Sequence, residues 1–531
     1  MTDFADLILS NGVVRTFDPA LPLAEAVAVY NGRILALGTS NQISAYRLPA
    51  TTFIDLKGRC LLPGFIDAHQ HQLYMGLSFG QVDATAESVS SIEQIVDRFA
   101  MRAAQTPEGS WVEGRGYQEL YLEEQRDPNR YDLDKASANH PLFLTRVCGH
   151  TMVLNSLALK YANITPSTPD PPGGTIERNP ETGQPTGVLR ETAMQLLRRV
   201  VPPPSDETLK AAILNAARHN LRRGITTVWE PSIEPAHLRM YKMLVANGEL
   251  PIRVIMAHKK ILRSGEEVPI PDRFTGEWLS LVAIKLFQDG GFGAATAALT
   301  SPYANAPDRQ GLLVLSQPQL NEYAKEIHSA GLRISAHAIG DAAILSVLEA
   351  IEYAVGNAQG GHHRHRIEHC GLPLPPIPER IKSLGIIPVL QPPFIWFEGD
   401  VYTGRVGLQR SRWLYPVKTL LEAGVIAAAS SDGPVVPDVN PLLGVYAAVT
   451  RQSKSRNVIN AEEAVDLETA ISLYTSRAAF ACGEENLKGT LSLGKMADFV
   501  VLEDDPFTVQ IRDIPDIPID MTIVNGTVHW T

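Results

Sequence analysis

Eight short apolar segments that alternate with helical stretches constrain the fold of this chain more than any other feature of its sequence. Glycines at positions 224, 331 and 424 directly follow helical stretches and precede such segments, as is typical of a helix C-terminus. Eight strand–helix units predict an α/β protein with a (β/α)₈ TIM barrel. The predicted strands are Phe65 to His71, Ile225 to Glu230, Ile252 to Met256, Leu281 to Phe287, Leu332 to His337, His365 to His369, Ile386 to Gln391 and Val425 to Ser431.

Both ends of the chain have a different pattern, in which apolar runs flank Asn-Gly pairs. These pairs are Asn11-Gly12, Asn31-Gly32 and Asn525-Gly526. A type I′ turn requires φ > 0 at both central residues, so Asn-Gly between apolar runs predicts a β-hairpin. We predict a small β-sandwich domain built from both chain termini, residues 1–62 and 487–531, around a barrel over residues 63–486.

The barrel repeat is interrupted once, between the first and second strands. About 150 residues lie there, far more than a strand–helix loop needs. We therefore predict a large insertion after barrel strand 1, at about residues 75–200. Loops that follow strands lie on the active-site face of such a barrel, and we expect the insertion to start there.

The composition argues against several classes of partner. The 531-residue chain has 47 Lys and Arg against 58 Asp and Glu, a formal net charge of −11, and no long basic run. This disfavours nucleic acid or an anionic membrane as the partner. We see no membrane span or signal peptide, and the four cysteines form no CxxC pair, so we expect a cytoplasmic protein with reduced thiols.

Polar side chains that suit a metal ion occur at the tips of the predicted strands. His69 and His71 are two residues apart at the end of the first strand, so both imidazoles should project from the same face. His337 and His369 end the fifth and sixth strands, and Asp432 follows the eighth. The carboxyl ends of barrel strands meet on one rim, which would gather these side chains together.

This set of side chains predicts a site for hydrolysis. Imidazoles and a carboxylate can hold a divalent ion with an open position, and the ion lowers the pKa of bound water toward ~7. Lys285 lies inside an apolar stretch of the fourth strand, where a charged ammonium is costly. Reaction with CO₂ would turn it into an anion that can bridge two ions, and Asp432 is placed to move the proton.

Each residue also has an ordinary explanation. A histidine at a strand end can be a hydrogen-bonded core or surface residue, Asp432 before Gly433-Pro434 can belong to a turn, and Lys285 can reach solvent along its stem. Cys370 beside His369 is better explained as a buried inert thiol than as a ligand. The occurrence of the whole set at strand tips favours the metal site.

The sequence resembles the amidohydrolase superfamily of metal-dependent hydrolases, in the branch that contains N-substituted formamide deformylase. The resemblance covers nearly all of the chain. It rests on the segments Pro63 to His71, Lys285 to Gly290, His337 to Asp341, Arg366 to His369, Gln391-Pro392, Ser431 to Pro434, Gly489 to Leu491 and Gly494 to Asp498, and in the insertion on Trp111 to Gly116, Gly149-His150 and Asn155-Ser156.

The resemblance implies a metal shell of His69, His71, Lys285, His337, His369 and Asp432, with one or two divalent ions, zinc in our prediction, and a CO₂-derived carboxylate on Lys285. Asp432 would be the catalytic general base beside a metal-activated hydroxide. We add His150 and Gln391 as candidate substrate-binding residues. Glu230 replaces the Asp that is usual after strand two, and we expect it to reshape the pocket.

Hydrolysis of a non-peptide C–N bond, of the amide type, in a small molecule is the leading functional prediction. A mononuclear deaminase of the same fold is the first alternative, although Lys285 argues against it because such enzymes usually lack a bridging lysine. A non-catalytic scaffold relative is the second alternative, although such relatives lose ligands and none is lost here. We expect a small-molecule substrate and a homo-oligomer, with a dimer as the first choice, and no nucleic-acid or membrane partner.

Overall fold

The centre of the molecule is an eight-stranded sheet in which every pair of neighbouring strands is parallel. The structure, a computed structural model, describes residues 4–147, 149, 151–171, 173–262, 265–356 and 363–531. The Ala68 amide donates to the Ala429 carbonyl at 3.4 Å, which joins the first strand to the eighth. The predicted (β/α)₈ barrel is therefore confirmed. Its strands are Phe65–Asp67, Ile225–Ile233, Arg253–Lys259, Leu279–Phe287, Arg333–Ala338, Arg366–His369, Ile387–Leu390 and Ala428–Ala429.

Helices follow the barrel strands and cover the outside of the sheet. Because both faces of a parallel sheet are then buried, its strands are almost continuously apolar. The predicted N-cap is present, since Ser205 Oγ accepts from the Thr208 amide at 3.2 Å. The glycines at 224, 331 and 424 all have positive φ, as predicted for helix ends. The helices are Gln72–Ser78, Asp206–Leu221, Pro235–Ala246, Gln317–Ser329, Asp341–Val355, Ile377–Leu384, Pro392–Val406, Leu408–Ser411, Val417–Glu422, Pro441–Thr450, Leu467–Ser472 and Ser476–Cys482.

Strands from both chain ends form two further sheets that share one hydrophobic core. A four-stranded sheet contains Arg33–Gly38, Ala26–Tyr30, Leu7–Ser10 and Thr52–Asp55 in spatial order. A six-stranded sheet contains Thr527–Trp530, Ile519–Val524, Phe499–Leu502, Cys60–Pro63, Val13–Arg15 and Leu23–Ala24. Buried side chains of both sheets, such as Val29 and Phe499, belong to one apolar cluster. This arrangement is the predicted sandwich built from both termini.

Two of the three predicted hairpins are present, and the one at Asn11-Gly12 is wrong. Asn31-Gly32 and Asn525-Gly526 have positive φ at both residues and join paired antiparallel strands. At the first pair only Asn11 has positive φ, and the strands on either side belong to different sheets. A Cβ at Gly12 would lie 2.4 Å from Leu56, so this glycine allows a close approach where the chain crosses between sheets.

The residues between the first two barrel strands include a separate compact unit, residues 77–208. It has its own six-stranded sheet, in the order Gly174–Arg178, Pro185–Glu191, Thr151–Leu154, Leu142–Arg146, Val112–Tyr117 and Val82–Asp83. Its helices are Ile92–Ala104, Arg130–Asp134, Ser156–Tyr161 and Gln195–Arg198. A search of the described residues found no helix long and apolar enough to cross a bilayer.

Candidate metal centre

The histidines and the carboxylate that the sequence analysis singled out lie close together at the carboxyl end of the barrel. Oδ1 of Asp432 lies 3.3 Å from Nε2 of His69 and 3.4 Å from Nε2 of His71. Donor atoms of His69, His369 and Asp432 all lie within 4.8 Å of one another. The ring of His337 is centred 4.4 Å from the ring of His369. Strands one, five, six and eight thus deliver these five side chains to one point.

The backbone is unusual at two of these positions. His369 has a φ of 74° and Asp432 a φ of 60°, in the left-handed region that residues other than glycine rarely adopt. The Asp432 amide donates to the His69 carbonyl at 2.8 Å, and the His71 amide donates to the Gly433 carbonyl at 2.9 Å. These bonds tie the loop after strand eight to the loop after strand one. Strain of this kind persists where the surroundings fix it, often at functional sites.

Several buried atoms of the cluster have no hydrogen-bond partner among the described residues. They are Nε2 of His69, Nδ1 of His71, Nζ of Lys285 and Oδ1 of Asp432. A buried polar atom without a partner is costly and calls for an explanation. Imidazole nitrogens and a carboxylate oxygen that converge in this way are the donor set of a divalent ion. The residues present therefore fit a metal.

The electrostatic environment keeps these donors in the forms that bind cations. Burial lowers the pKa of His337 to about 3 and holds the pKa of His369 well below its usual value. Burial alone would raise the pKa of Asp432, but the imidazoles of His369 and His69 hold it well below the ordinary carboxyl value. Neutral imidazoles and an ionised carboxylate are what metal coordination requires.

Lys285 differs from the lysine beside it. Lys259, its register partner on strand three, donates from Nζ to Glu234 at 2.7 Å and to the Tyr74 hydroxyl at 3.3 Å. Lys285 is 2% exposed, its Nζ has no hydrogen-bond partner within the described part of the chain, and burial lowers its pKa to about 8. A neutral amine is the form that reacts with CO₂, so these contacts single out Lys285 over Lys259.

Glu368 is an important residue of the site that the sequence analysis missed. One of its oxygens lies 2.6 Å from Nδ1 of His69, and the other accepts from the Ser335 hydroxyl at 2.6 Å. Arg366 donates to both oxygens, at 2.8 and 2.9 Å. Burial would raise the pKa of Glu368, but Arg366 and His69 hold it well below its ordinary value. The carboxylate thus binds the Nδ1 side of His69 and leaves Nε2 toward the cluster.

Two signals in the sequence could have pointed to Glu368. It lies two residues after Arg366 in a four-residue strand, so both side chains project to the same face. It also directly precedes His369, a predicted ligand. A buried Arg and Glu on the interior face of a barrel strand need partners, and the imidazole of a neighbouring strand supplies one.

The two candidate substrate-binding residues have different outcomes. His150 lies outside the described residues. Gln391 is fully buried; its Oε1 accepts from Nδ1 of His369 at 2.9 Å, and its side-chain nitrogen donates to the Ser430 hydroxyl at 2.9 Å. This position favours support of His369 over direct contact with a substrate, and the substrate role stays a prediction.

Glu230 is buried, and its effect on the shape of the pocket stays a prediction. It is 1% exposed, and its Oε2 accepts from the Leu73 amide at 3.0 Å and from the Tyr241 hydroxyl at 3.1 Å. Leu73 is in the first turn of the helix that follows His71. Glu230 thus binds the start of that helix, and burial raises its pKa to about 8.

Comparison with known proteins agrees with this geometry. Residues 52–529 match the amidohydrolase family. The chain belongs to that family. It is 31% identical to the protein YtcJ of Bacillus subtilis, over 95% of this chain and 96% of that protein. It is 28% identical to N-substituted formamide deformylase of Arthrobacter pascens, over 100% of this chain and 99% of the enzyme.

A solved structure is similar over the same extent. It is an uncharacterized metal-dependent hydrolase from Pyrococcus horikoshii, which matches with a TM-score of 0.80 and 28% sequence identity. The match covers 95% of this chain and 99% of the archaeal chain. The amidohydrolase family member described here therefore shares the fold of a metal-dependent hydrolase along almost its whole length.

Proposed function

We propose that this protein hydrolyses a non-peptide C–N bond of the amide type in a small molecule, with an N-substituted formamide as the first substrate class to test. The observation that carries the proposal is the convergence of five potential ligands at the barrel rim, three of which have buried donor atoms that form no hydrogen bond with the described residues. Membership of the amidohydrolase family and the similarity to a deformylase support the choice of reaction.

The metal shell would consist of His69, His71, His337, His369 and Asp432, with Lys285 joining as a carbamate when two ions are bound. Zinc suits this mixture of imidazole and carboxylate ligands. A bound ion supplies a Lewis acid for the substrate carbonyl and lowers the pKa of water toward ~7. Glu368 and Gln391 hold two of the imidazoles in orientation, because each contacts the Nδ1 atom of a ligand.

Asp432 would move the proton. Its carboxylate is ionised and lies between two imidazoles, so it can accept a proton from the attacking water. In the overall reaction the C–N bond breaks, the oxygen of water joins the acyl carbon, and a proton reaches the nitrogen. The products are a carboxylate and an amine. Delivery of the proton by the same carboxylate lets the amine leave.

Amine release from metal-loaded protein tests the proposal. Purified wild type is loaded with zinc, its metal content is measured, and amine and formate are followed for a panel of N-alkyl and N-aryl formamides. Asp432→Asn should keep the fold and lose about 10²–10⁴-fold in kcat, as for other positioned acid–base groups. Full turnover by a metal-loaded Asp432→Asn variant would exclude this role for the carboxylate.

The same preparation discriminates the alternatives. A deaminase would release ammonia from an aminated heterocycle and no amine from the amide panel, whereas a scaffold would purify without stoichiometric metal. Carboxylation is tested with ¹³C-bicarbonate, which should give a carbamate carbon signal in wild type and in Lys259→Met but not in Lys285→Met. A wild-type spectrum without that signal, with metal bound, would leave a site without a carbamate bridge and favour the deaminase.

A further inference from the structure

A solvent-exposed aromatic ring lies at the tip of barrel strand four, beside the candidate metal centre. The strand Leu279–Phe287 has eight buried residues and ends in Phe287, which is 38% exposed. Side chains alternate along a strand, so Phe287 projects to the same face as Lys285, two residues earlier. Nζ of Lys285 lies 4.9 Å from the centre of the Phe287 ring. The ring therefore lies on the solvent side of the buried lysine, at the mouth of the barrel.

Phe287 also adjoins a candidate ligand that solvent can reach. His337 is its register partner on strand five, and the centres of the two rings are 5.6 Å apart. The side chains of His337 and His71 are 15% and 18% exposed, whereas those of His69 and His369 are buried. A molecule that approaches the cluster from solvent therefore meets His71 or His337 first, and Phe287 borders the His337 side.

Apolar surface continues from Phe287 into the loop that follows strand four. Leu312, Leu313 and Val314 are consecutive, and all three are exposed. The Val314 amide donates at 2.8 Å to the carbonyl of Gln288, the residue after Phe287, so this loop is tied to the tip of the strand. Single exposed apolar residues are common, but several together often mark a binding site. Because this surface starts at the metal cluster, its occupant should be part of the molecule that binds there.

We propose that Phe287 determines substrate specificity by contacting an apolar substituent of the amide. This inference rests on the proposed function and deepens it, because it restricts the substrate class to amides that carry an alkyl or aryl group. Contact with the exposed ring removes apolar area of both groups from water. The preference of the enzyme should therefore rise with the size of the substituent.

The substitution Phe287→Ala tests this role through a ratio of two substrates. In the zinc-loaded wild type, kcat/KM should be higher for N-hexylformamide than for N-methylformamide. Phe287→Ala should lower this ratio about 10-fold, the lower end of what contact with apolar groups contributes, because the ring is only partly enclosed. Phe287→Leu keeps an apolar side chain and should retain most of the preference. Equal losses of kcat/KM for both substrates in Phe287→Ala would overturn the inference, because the ring would then only support the site or the fold.

Phe53→Ala is the matched control. Phe53 is 37% exposed, close to the exposure of Phe287, and lies on the strand Thr52–Asp55 of the domain built from the chain termini. Its removal should leave the ratio of the two substrates unchanged. Melting temperatures of all three variants show whether each is folded at the temperature of the assay.

A binding measurement separates this inference from the proposed function. If wild type cleaves no formamide, acetohydroxamate and hexanohydroxamate are titrated into the zinc-loaded protein, since hydroxamates bind zinc through two oxygens. Tighter binding of the longer compound to wild type, with this preference lost in Phe287→Ala, would support the role of Phe287 although the proposed reaction fails. No preference in wild type, or the same preference in both proteins, would overturn it. Protein that takes up no divalent metal would overturn both the inference and the proposed function.

Discussion

Buried polar and charged side chains at the two ends of the barrel differ in whether they have hydrogen-bond partners. At the carboxyl end, His69, Lys285 and Asp432 have buried atoms that form no hydrogen bond with the described residues. At the amino end, Arg253 and Asp498 form a two-bonded ion pair with distances of 2.7 and 3.0 Å. Arg253 also donates to the Glu277 carbonyl and to Oδ1 of Asn525, and Asp498 also accepts from the Asn525 amide.

The difference indicates that one end of the barrel stabilises the fold and the other end binds a ligand. The paired charges at the amino end join strand three to the domain built from the chain termini, so they secure the fold. Buried polar atoms at the carboxyl end that form no hydrogen bond with the described residues destabilise the protein unless a ligand such as a metal ion binds to them. A barrel commonly keeps its reactive groups at the carboxyl face and its stabilising contacts at the other. The following predictions test this division.

The largest effect is expected from the double variant His69→Ala and His71→Ala. It removes two converging ligands, so stoichiometric zinc and all hydrolysis should be lost together. Added zinc should raise the melting temperature of wild type, because the ion binds only the folded state, but not that of the variant. His219→Ala, on the helix Asp206–Leu221, is the control and should bind metal normally. Full metal content in the double variant would exclude these histidines as ligands.

Removal of one partner at the amino end should reduce stability instead of activity. Asp498→Ala leaves the guanidinium of Arg253 buried without its counterion, which should lower the free energy of unfolding by about 3–5 kcal/mol. Urea unfolding measures the loss in the free energy of unfolding. The kcat of the variant, measured about 20 °C below its melting temperature, should stay near the wild-type value. Glu422→Ala breaks an exposed pair at 3.9 Å and should cost less than about 1 kcal/mol. An equally small cost for both variants would contradict the comparison.

A smaller effect is expected where pairing serves the metal site itself. Glu368→Gln replaces the carboxylate that holds His69 with an amide, which should weaken zinc binding about 10- to 100-fold. Competition with a chelator measures this affinity without any substrate. Glu463→Gln, at a buried carboxylate that accepts from the Thr419 amide at 3.0 Å, should leave zinc affinity unchanged. Unchanged affinity in Glu368→Gln would show that His69 needs no orienting partner.

The last prediction concerns the dependence of stability on pH. Burial raises the pKa of Glu230 from 4.5 to about 8 in the folded protein. Between these values the folded state holds a proton that the unfolded state has released, so stability should fall as pH rises through this window. Glu230→Gln stays neutral and should flatten this part of the profile. The free energy of unfolding at several pH values checks it, and identical slopes for both proteins would argue against the raised pKa.

The sequence by itself determined the barrel and most of the candidate shell. Periodic apolar segments and helix-ending glycines specify local structure, and parallel strands necessarily bring their carboxyl ends to one rim. The sequence alone was therefore enough to group five side chains of the shell, those of His69, His71, His337, His369 and Asp432. The same local logic failed at Asn11-Gly12, because there the strands on either side of the pair join different sheets, and such pairing is decided between distant segments.

Only the tertiary structure decided which buried groups have partners. Glu368 binds His69 across 299 positions of sequence, and Asp498 meets Arg253 across 245. Lys259 and Lys285 are neighbours on adjacent strands, yet among the described residues only Lys259 has a hydrogen-bond partner for its Nζ. Hydrogen bonds act over about 3 Å. Whether two residues far apart in the sequence form one therefore depends on the tertiary structure and not on their spacing along the chain.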